Sequence, residues 1–131
     1  MVSKYDISTK DKKEMSYRAF VFALLINLGF NPSNKGTFYL RDLILLAIRN
    51  NADIWLKELR KQLASKKHIS QMKIKTNIDY AFKCIDSTKT KNNFKNIFHF
   101  EYDIYFMTAK TLINLVINLI YPKSSYTQKQ D

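Results

Sequence analysis

The segment from Asn27 to Asp42 constrains the fold of this chain more than any other. It ends one helical pattern at Gly29 and opens another after the turn residues 31–36. Glycine suits a left-handed helix cap because it has no Cβ to clash there. The 131 residues contain only two Gly and two Pro, so few other positions would interrupt helices. The segment therefore predicts a chain built from helices.

Apolar residues elsewhere repeat with the 3.6-residue period of helices that have one buried face. Asp53 and Ser70 are predicted N-caps, because their side chains can accept a hydrogen bond from a free helical N–H. Residues 86–93 are predicted to form a polar loop. A short helix or turn is expected near residues 94–100, with a strand over 98–105 as the minor alternative. The predicted helices are 14–28, 38–49, 54–66, 71–85 and 108–121, between polar tails at 1–13 and 122–131.

The charge distribution points to a polyanionic partner. Lys and Arg number 22 against 11 Asp and Glu, a net charge of +11. Residues 57–95 hold eleven of these cations and only three acids. Nucleic acid and an anionic membrane surface both fit, and a basic surface can also serve solubility alone. Phosphate neutralisation by Lys and Arg provides most sequence-independent affinity for DNA.

The block from Lys35 to Asp42 resembles a known family motif. It reads Lys-Gly-Thr-Phe-Tyr-Leu-Arg-Asp. The DNA-binding effector domain of the response regulator that initiates sporulation in Gram-positive bacteria has Lys-Gly-Tyr-x-Tyr-Leu-Arg-Asp/Glu after an apolar helix ending in Gly. The resemblance extends from about residue 15 to residue 121. It implies an all-α fold of about six helices with a helix-turn-helix at about 54–85.

The resemblance also implies where duplex DNA would bind. In a helix-turn-helix the first helix crosses the backbone and the second enters the major groove. At the positions where the family has Ser-Arg-Val-Glu-Arg, residues 72–76 of this chain read Met-Lys-Ile-Lys-Thr. Asp79 stands at the position of a further family Arg. A different target, or loss of specific binding, is expected, because Lys cannot reproduce the bidentate grip of Arg on guanine. The predicted DNA-binding residues are Lys57, Arg60, Lys61, Lys66, Lys67, Ser70, Met72, Lys73, Lys75, Thr76, Asp79, Tyr80 and Lys83.

Enzymatic and metal-binding patterns are weak. His68 and His99 belong to no metal-ligand spacing, and no glycine-rich phosphate loop occurs, so neither a catalytic residue nor a cofactor is predicted. Cys84 is interpreted as a small core residue and Trp55 as a core anchor. A single cysteine and no secretory signal favour a cytoplasmic protein. The family's receiver domain has no room in this chain, so control through an attached receiver is not expected.

The last helix, 108–121, has apolar residues around more than half of its circumference. It is too short to span a membrane. Two interpretations remain open, a central core helix and a homodimer interface through Ile113 and Ile117. The leading hypothesis is a DNA-binding transcriptional regulator. The alternatives are an interaction module that has lost specific DNA binding and, last, a peripheral membrane protein.

Overall fold

The computed structural model describes residues 9–50 and 55–122, with the side chains of all of these except 9–15 and 104. The described residues form six α-helices and one short 3₁₀ turn, Ile104–Phe106, and contain no strand. The prediction of an all-α fold is confirmed. The helices are α1 Thr9–Asn27, α2 Lys35–Arg49, α3 Leu56–Lys67, α4 Gln71–Lys83, α5 Ser87–Phe98 and α6 Ala109–Ile120.

α2 is the central helix and packs against α1, α3, α4 and α6. Its residues Leu40, Leu43 and Ile44 are completely buried, as their spacing predicted. The other helices surround it and contribute the remaining apolar core. None of the helices in the described ranges combines the length and apolar content needed to cross a bilayer.

The predicted polar loop at 86–93 is instead the first half of α5, and this prediction was wrong. The Asp86 carboxylate accepts a hydrogen bond from the Lys89 N–H at 3.2 Å and caps the helix. Buried Thr90 donates its hydroxyl to the Leu28 carbonyl at the end of α1. Tertiary contacts therefore stabilise a segment whose polar composition suggested a loop. α1 also begins earlier than predicted, at Thr9, inside the predicted tail.

Gly29 ends the turn after α1, as predicted, and takes a positive φ of 105°. A Cβ at this position would lie 2.6 Å from the Asp86 carbonyl oxygen. The Asp86 N–H donates to the Gly29 carbonyl at 2.9 Å. Gly29 is therefore required both by its backbone angle and by the close approach of the chain at the start of α5.

Gly36 has a different role, since it lets the start of α2 approach α4. A Cβ on Gly36 would lie 1.9 Å from the Asn77 carbonyl oxygen and 2.8 Å from the Ala81 Cβ. These distances leave no room for any side chain. The glycine of the Lys35–Asp42 block thus sets how closely α4 docks against the central helix.

The end of the same block joins α2 to α1 and α3. Buried Asp42 accepts from Arg41 at 2.9 Å and lies 3.1 Å from the Lys67 ammonium at the end of α3. The Arg41 guanidinium lies 5.6 Å from the Phe22 ring and 5.2 Å from the Phe38 ring, two rings that stack on each other. The charged pair Arg41–Asp42 therefore fixes the position of the neighbouring helices.

Candidate nucleic-acid interface

α3 and α4 are joined by the short turn 68–70 and pack against each other. His68 ends α3 in the left-handed region, with φ 58° and ψ 44°. Ser70 begins α4, and its hydroxyl accepts from the Lys73 N–H at 3.0 Å, which confirms the predicted N-cap. The Asp53 cap predicted for α3 lies outside the described residues. Trp55 occupies the N-cap position without a side-chain hydrogen bond.

The inner face of α4 is apolar and buried. Ile74, Ile78 and Ala81 pack into the core, and the spacing of these three residues places them on one side of the helix. The opposite side is exposed, with Met72 68% and Tyr80 58% accessible. The structure therefore places the predicted outer residues on one open helix face. The exposed residues are Met72, Lys73, Thr76, Asp79, Tyr80 and Lys83.

One ion pair lies on the exposed part of α4. The Lys75 ammonium is 3.0 Å from the Asp79 carboxylate, one helical turn away, and both side chains are more than half exposed. Lys75 therefore offsets the acidic charge that Asp79 brings to this side of the helix. Such exposed pairs contribute little stability, about 0.3–0.5 kcal/mol. Among the described residues, no acidic side chain forms an ion pair with Lys73 or Lys83.

Tyr80 stands beside the Cys84 thiol at the end of α4. A hydrogen bond with that thiol is the main cause that raises the pKa of the Tyr80 phenol. An ordinary phenol is already protonated at neutral pH, so this shift leaves the Tyr80 hydroxyl a hydrogen-bond donor. Cys84 itself is exposed, so its interpretation as a core residue was wrong. α4 ends at Lys83, and Cys84 caps the helix off the buried stripe.

The cations of α3 fall into two groups. Lys57, Lys61 and Lys66 are exposed, and Arg60 is half-buried. Lys67, in contrast, is already engaged by Asp42 and lies 5.9 Å from the Tyr39 ring centre. The first group can reach an external phosphate without breaking an internal contact, whereas Lys67 stabilises the attachment of α3 to α2.

Trp55 is 79% exposed, so its interpretation as a core anchor was wrong. α3 begins at Leu56, one residue later, and Trp55 precedes the first turn rather than joining the buried stripe. The chain also exposes an aromatic segment between α5 and α6, with Tyr105 84% accessible. Sequence reasoning missed this segment, although its dense aromatic composition was visible. We define the exposed aromatic segment as Phe100, Tyr102, Tyr105 and Phe106.

α6 buries the residues predicted to form a homodimer interface. Ile113 is 5% and Ile117 is 4% accessible, and both pack into the domain's own core. The prediction that these residues face a second copy was wrong. The exposed side of α6 is polar and holds Lys110, Asn114 and Asn118. The wide apolar surface of the helix is used because α6 packs against α2 within a shared core.

The described part of the chain contains no group of three or more His, Cys, Asp or Glu side chains that could hold a metal ion. Comparison of the chain with protein-family models, curated proteins and solved structures finds no match in any of the three.

Proposed function

We propose that the protein is a cytoplasmic, non-enzymatic DNA-binding regulator of transcription in which α3, the turn 68–70 and α4 form a helix-turn-helix. The observation that carries the proposal is the open face of α4, which displays hydrogen-bonding and cationic side chains on a firmly anchored helix. α4 is held by α2 through the close approach at Gly36 and by α3 through apolar contacts. A rigid helix with one free polar face suits the major groove of DNA.

Within this proposal, α4 contacts bases and α3 contacts the backbone. Lys73 and Thr76 lie on the open face of α4 and can reach base edges, since Lys donates and Thr both donates and accepts. Lys57, Arg60 and Lys61 on α3 supply cations for phosphate groups. The backbone contacts would set the position of the protein, and the base contacts would select the sequence.

The target differs from that of the family with the Lys-Gly-x-x-Tyr-Leu-Arg-Asp motif. That family presents arginines where this chain has Thr76 and Asp79, and Asp79 is paired with Lys75. A carboxylate is repelled by phosphate and accepts well only from a cytosine amine. The block Lys35–Asp42 builds the scaffold, through Gly36 and the Asp42–Lys67 pair. A shared scaffold with a changed contact face fits DNA binding at a different sequence.

The proposal is tested by binding to a randomised duplex pool, with sequencing of the bound fraction and a salt titration of one selected site. Each neutralised phosphate contributes ~0.9 to the slope of log K against log salt, so about five contacts give a slope of about −4 to −5. Absence of binding even at low salt contradicts the proposal.

Variants separate the roles of the two helices. Lys73→Ala and Thr76→Ala are expected to change the selected sequence, whereas Arg60→Ala and Lys61→Ala should weaken all duplexes alike. Lys110→Ala, which removes an exposed cation from the polar side of α6, is the matched control and should change neither property. Equal weakening of every duplex by all four variants would show that α4 does not read sequence.

Self-association is the second part of the proposal, because two half-sites multiply affinity through effective concentration. The surface that favours it is the exposed aromatic segment, since the apolar face of α6 is buried. A second copy of the chain is the expected occupant. Light scattering should show a fall in mass for Tyr105→Ser/Phe106→Ser while circular dichroism stays helical. If this variant has a lower mass and the native protein binds no duplex, the protein is an interaction module without DNA binding.

A further inference from the structure

A polar groove lies between the start of α5 and the chain that follows α5, and no residue of α3 or α4 lines it. Its volume is about 610 Å³, within the ~300–1,000 Å³ typical of small-molecule sites. We call it the α5 groove. The first two turns of α5 contribute Ser87, Thr88, Thr90 and Lys91, and the segment after α5 contributes Glu101, Tyr102 and Asp103.

Aromatic packing holds the two sides of the α5 groove together. The centre of the buried Phe94 ring lies 5.4 Å from that of Phe100 and 6.1 Å from that of Tyr102, so the chain after α5 folds back along the helix. The Asp103 carboxylate accepts from the Tyr105 N–H at 2.9 Å, which fixes the far end of this segment. The shape of the groove therefore does not depend on a ligand.

Three charged side chains line the α5 groove, and they do not neutralise one another. Within the described part of the chain Lys91 forms no ion pair, although Glu101 and Asp103 line the same groove. Glu101 lies 3.8 Å from Lys95, too far for a hydrogen bond, and its side chain is 85% exposed. One cation against two carboxylates leaves the lining side chains with a single net negative charge, in a chain that is strongly basic.

The uncharged groups of the groove add hydrogen bonding and an apolar surface. Ser87 and Thr88 are exposed, and their hydroxyls form no hydrogen bond within the described residues. A hydroxyl can donate, so these two can bind a carboxylate beside Lys91. The Tyr102 ring is 40% exposed and can contact methylene groups or a cation. The donors therefore lie on α5, and the acceptors and the ring lie on the segment after it.

This separation of charge differs from the other ion pairs of the surface. Lys75 and Asp79 on α4 contact each other directly at 3.0 Å. In the α5 groove the two signs are instead kept apart on two segments. A ligand that carries both signs can satisfy them together.

We propose that the α5 groove binds a basic amino acid, a zwitterion that carries a second cation on an apolar stem. The ligand carboxylate accepts from Lys91 and from the hydroxyls at the start of α5. The two cationic groups of the ligand lie against Glu101 and Asp103, and its methylene groups lie against Tyr102. A single net positive charge on the ligand complements the single net negative charge of the groove. The inference does not depend on the proposed DNA binding, because α3 and α4 contribute nothing to the groove.

The first experiment uses L-lysine as the probe. The native chain is titrated at constant pH and ionic strength, and the amide chemical shifts are followed by NMR. We expect saturable shifts at residues 87–91 and 101–103, with no shifts of comparable size in α4. Shifts that do not saturate, or that sodium chloride alone reproduces, overturn the proposal.

Three analogues each lack one charged group of L-lysine. Norleucine lacks the side-chain ammonium, ε-aminocaproate lacks the α-ammonium, and cadaverine lacks the carboxylate. Each is expected to bind roughly tenfold more weakly than L-lysine, because one charge-assisted contact is lost. Any analogue that binds as tightly as L-lysine overturns the proposal.

Two variants remove opposite ends of the site. Lys91→Gln is expected to weaken L-lysine binding roughly tenfold without weakening cadaverine, which has no carboxylate to lose a partner. Glu101→Gln is expected to weaken both ligands, because both carry ammonium groups. Both residues are exposed, so neither replacement disturbs the core. Equal weakening of L-lysine and cadaverine by Lys91→Gln overturns the proposal.

The matched controls are Lys110→Gln and Glu58→Gln, which remove the same charges from exposed positions outside the groove. Both should keep the native affinity for L-lysine. A loss in these controls equal to that in the groove variants overturns the proposal. Failure of the native chain to bind DNA contradicts only the proposed function, because the L-lysine titration contains no DNA.

Discussion

α4 and α6 are helices of similar length that pack against the same central helix, α2, but the two helices use their apolar residues differently. α4 buries a narrow stripe formed by Ile74, Ile78 and Ala81. α6 buries a broader face, which extends around the helix from Leu112 to Ile117. The exposed side of α6 is polar, whereas that of α4 combines polar and charged side chains with Met72 and Tyr80.

The difference shows that apolar content alone does not identify an interface. The apolar circumference of α6 suggested a surface for a second copy, yet the domain core covers it. The functional candidate is instead the helix with less apolar surface, because its outer face is both exposed and chemically varied. A candidate interface is identified by the side chains that stay exposed once the apolar ones are packed in the core.

Ile117→Lys is expected to lower the free energy of unfolding more than any other variant. It tests whether the apolar face of α6 is core. The substitution places an unpaired charge at a position that is 4% accessible. Burying an unpaired charge is among the few changes that destabilise by about 4 kcal/mol or more. Native domains have only ~5–15 kcal/mol of stability, so urea unfolding should show a large loss.

The control is Asn118→Lys, the same new charge on the adjacent exposed position of α6. Its effect should remain within ~0.5 kcal/mol. If the native chain self-associates and Ile117→Lys is a folded monomer of native stability, this face of α6 is an interface and not core.

Gly36→Ala is expected to cause the next largest loss of stability. It tests how α4 is anchored to α2. The new methyl group would lie 1.9 Å from the Asn77 carbonyl oxygen, so α4 must move. Overpacking of this kind usually destabilises by ~1–3 kcal/mol. At an unobstructed helix position the same substitution would be stabilising by roughly 0.5–1 kcal/mol. Chemical denaturation should therefore show a loss of stability where helix propensity predicts a gain.

Lys35→Ala, one residue earlier and exposed, is the matched control and should be close to neutral. The proposed DNA binding should weaken in Gly36→Ala at temperatures where the domain is still folded, because α4 is displaced. Native stability in Gly36→Ala would mean that α2 and α4 do not approach this closely.

Local patterns were sufficient to predict much of this fold. The spacing of Leu40, Leu43 and Ile44 predicted the buried face of α2, and Ser70 predicted the start of α4, because both signals act within one or two turns of a helix. The same reasoning failed for residues 86–93. The hydrogen bond from Thr90 to Leu28 joins segments far apart in the sequence, and no local pattern indicates it.

The candidate interface was likewise predictable only in part. Periodicity correctly placed the outer residues of α4 on one exposed face, which is a property of the helix itself. It could not reveal the Asp42–Lys67 pair or the α5 groove, because these depend on how separate segments pack. Exposure of Trp55 was also unpredictable, since it depends on where α3 begins.

Ser70→Ala is expected to lower stability less than Gly36→Ala does. It tests how the start of α4 is attached to the turn 68–70. The substitution removes the hydroxyl that accepts from the Lys73 N–H at 3.0 Å. Loss of a serine N-cap typically destabilises by ~1 kcal/mol. Thermal unfolding should show the decrease, and hydrogen exchange should be faster in the first turn of α4. Ser65→Ala, an exposed position inside α3, is the control and should show neither change.

Asp79→Asn should change stability least of these variants. It tests the proposed role of the open face of α4 in DNA binding. It breaks an exposed pair with Lys75, so unfolding should change by only ~0.3–0.5 kcal/mol. DNA binding should become tighter, because the carboxylate no longer repels phosphate and Lys75 becomes available. One additional phosphate contact would steepen the slope of log K against log salt by ~0.9.

The control for Asp79→Asn is Glu101→Gln, which removes the acidic partner of another exposed pair, with Lys95 at 3.8 Å, beyond the end of α5. This variant raises the net charge by the same amount away from α4. If DNA binds through the open face of α4, only Asp79→Asn should steepen the slope. An equal effect of both variants would mean that net charge governs binding, and that the face of α4 contributes no more to it than the rest of the basic surface.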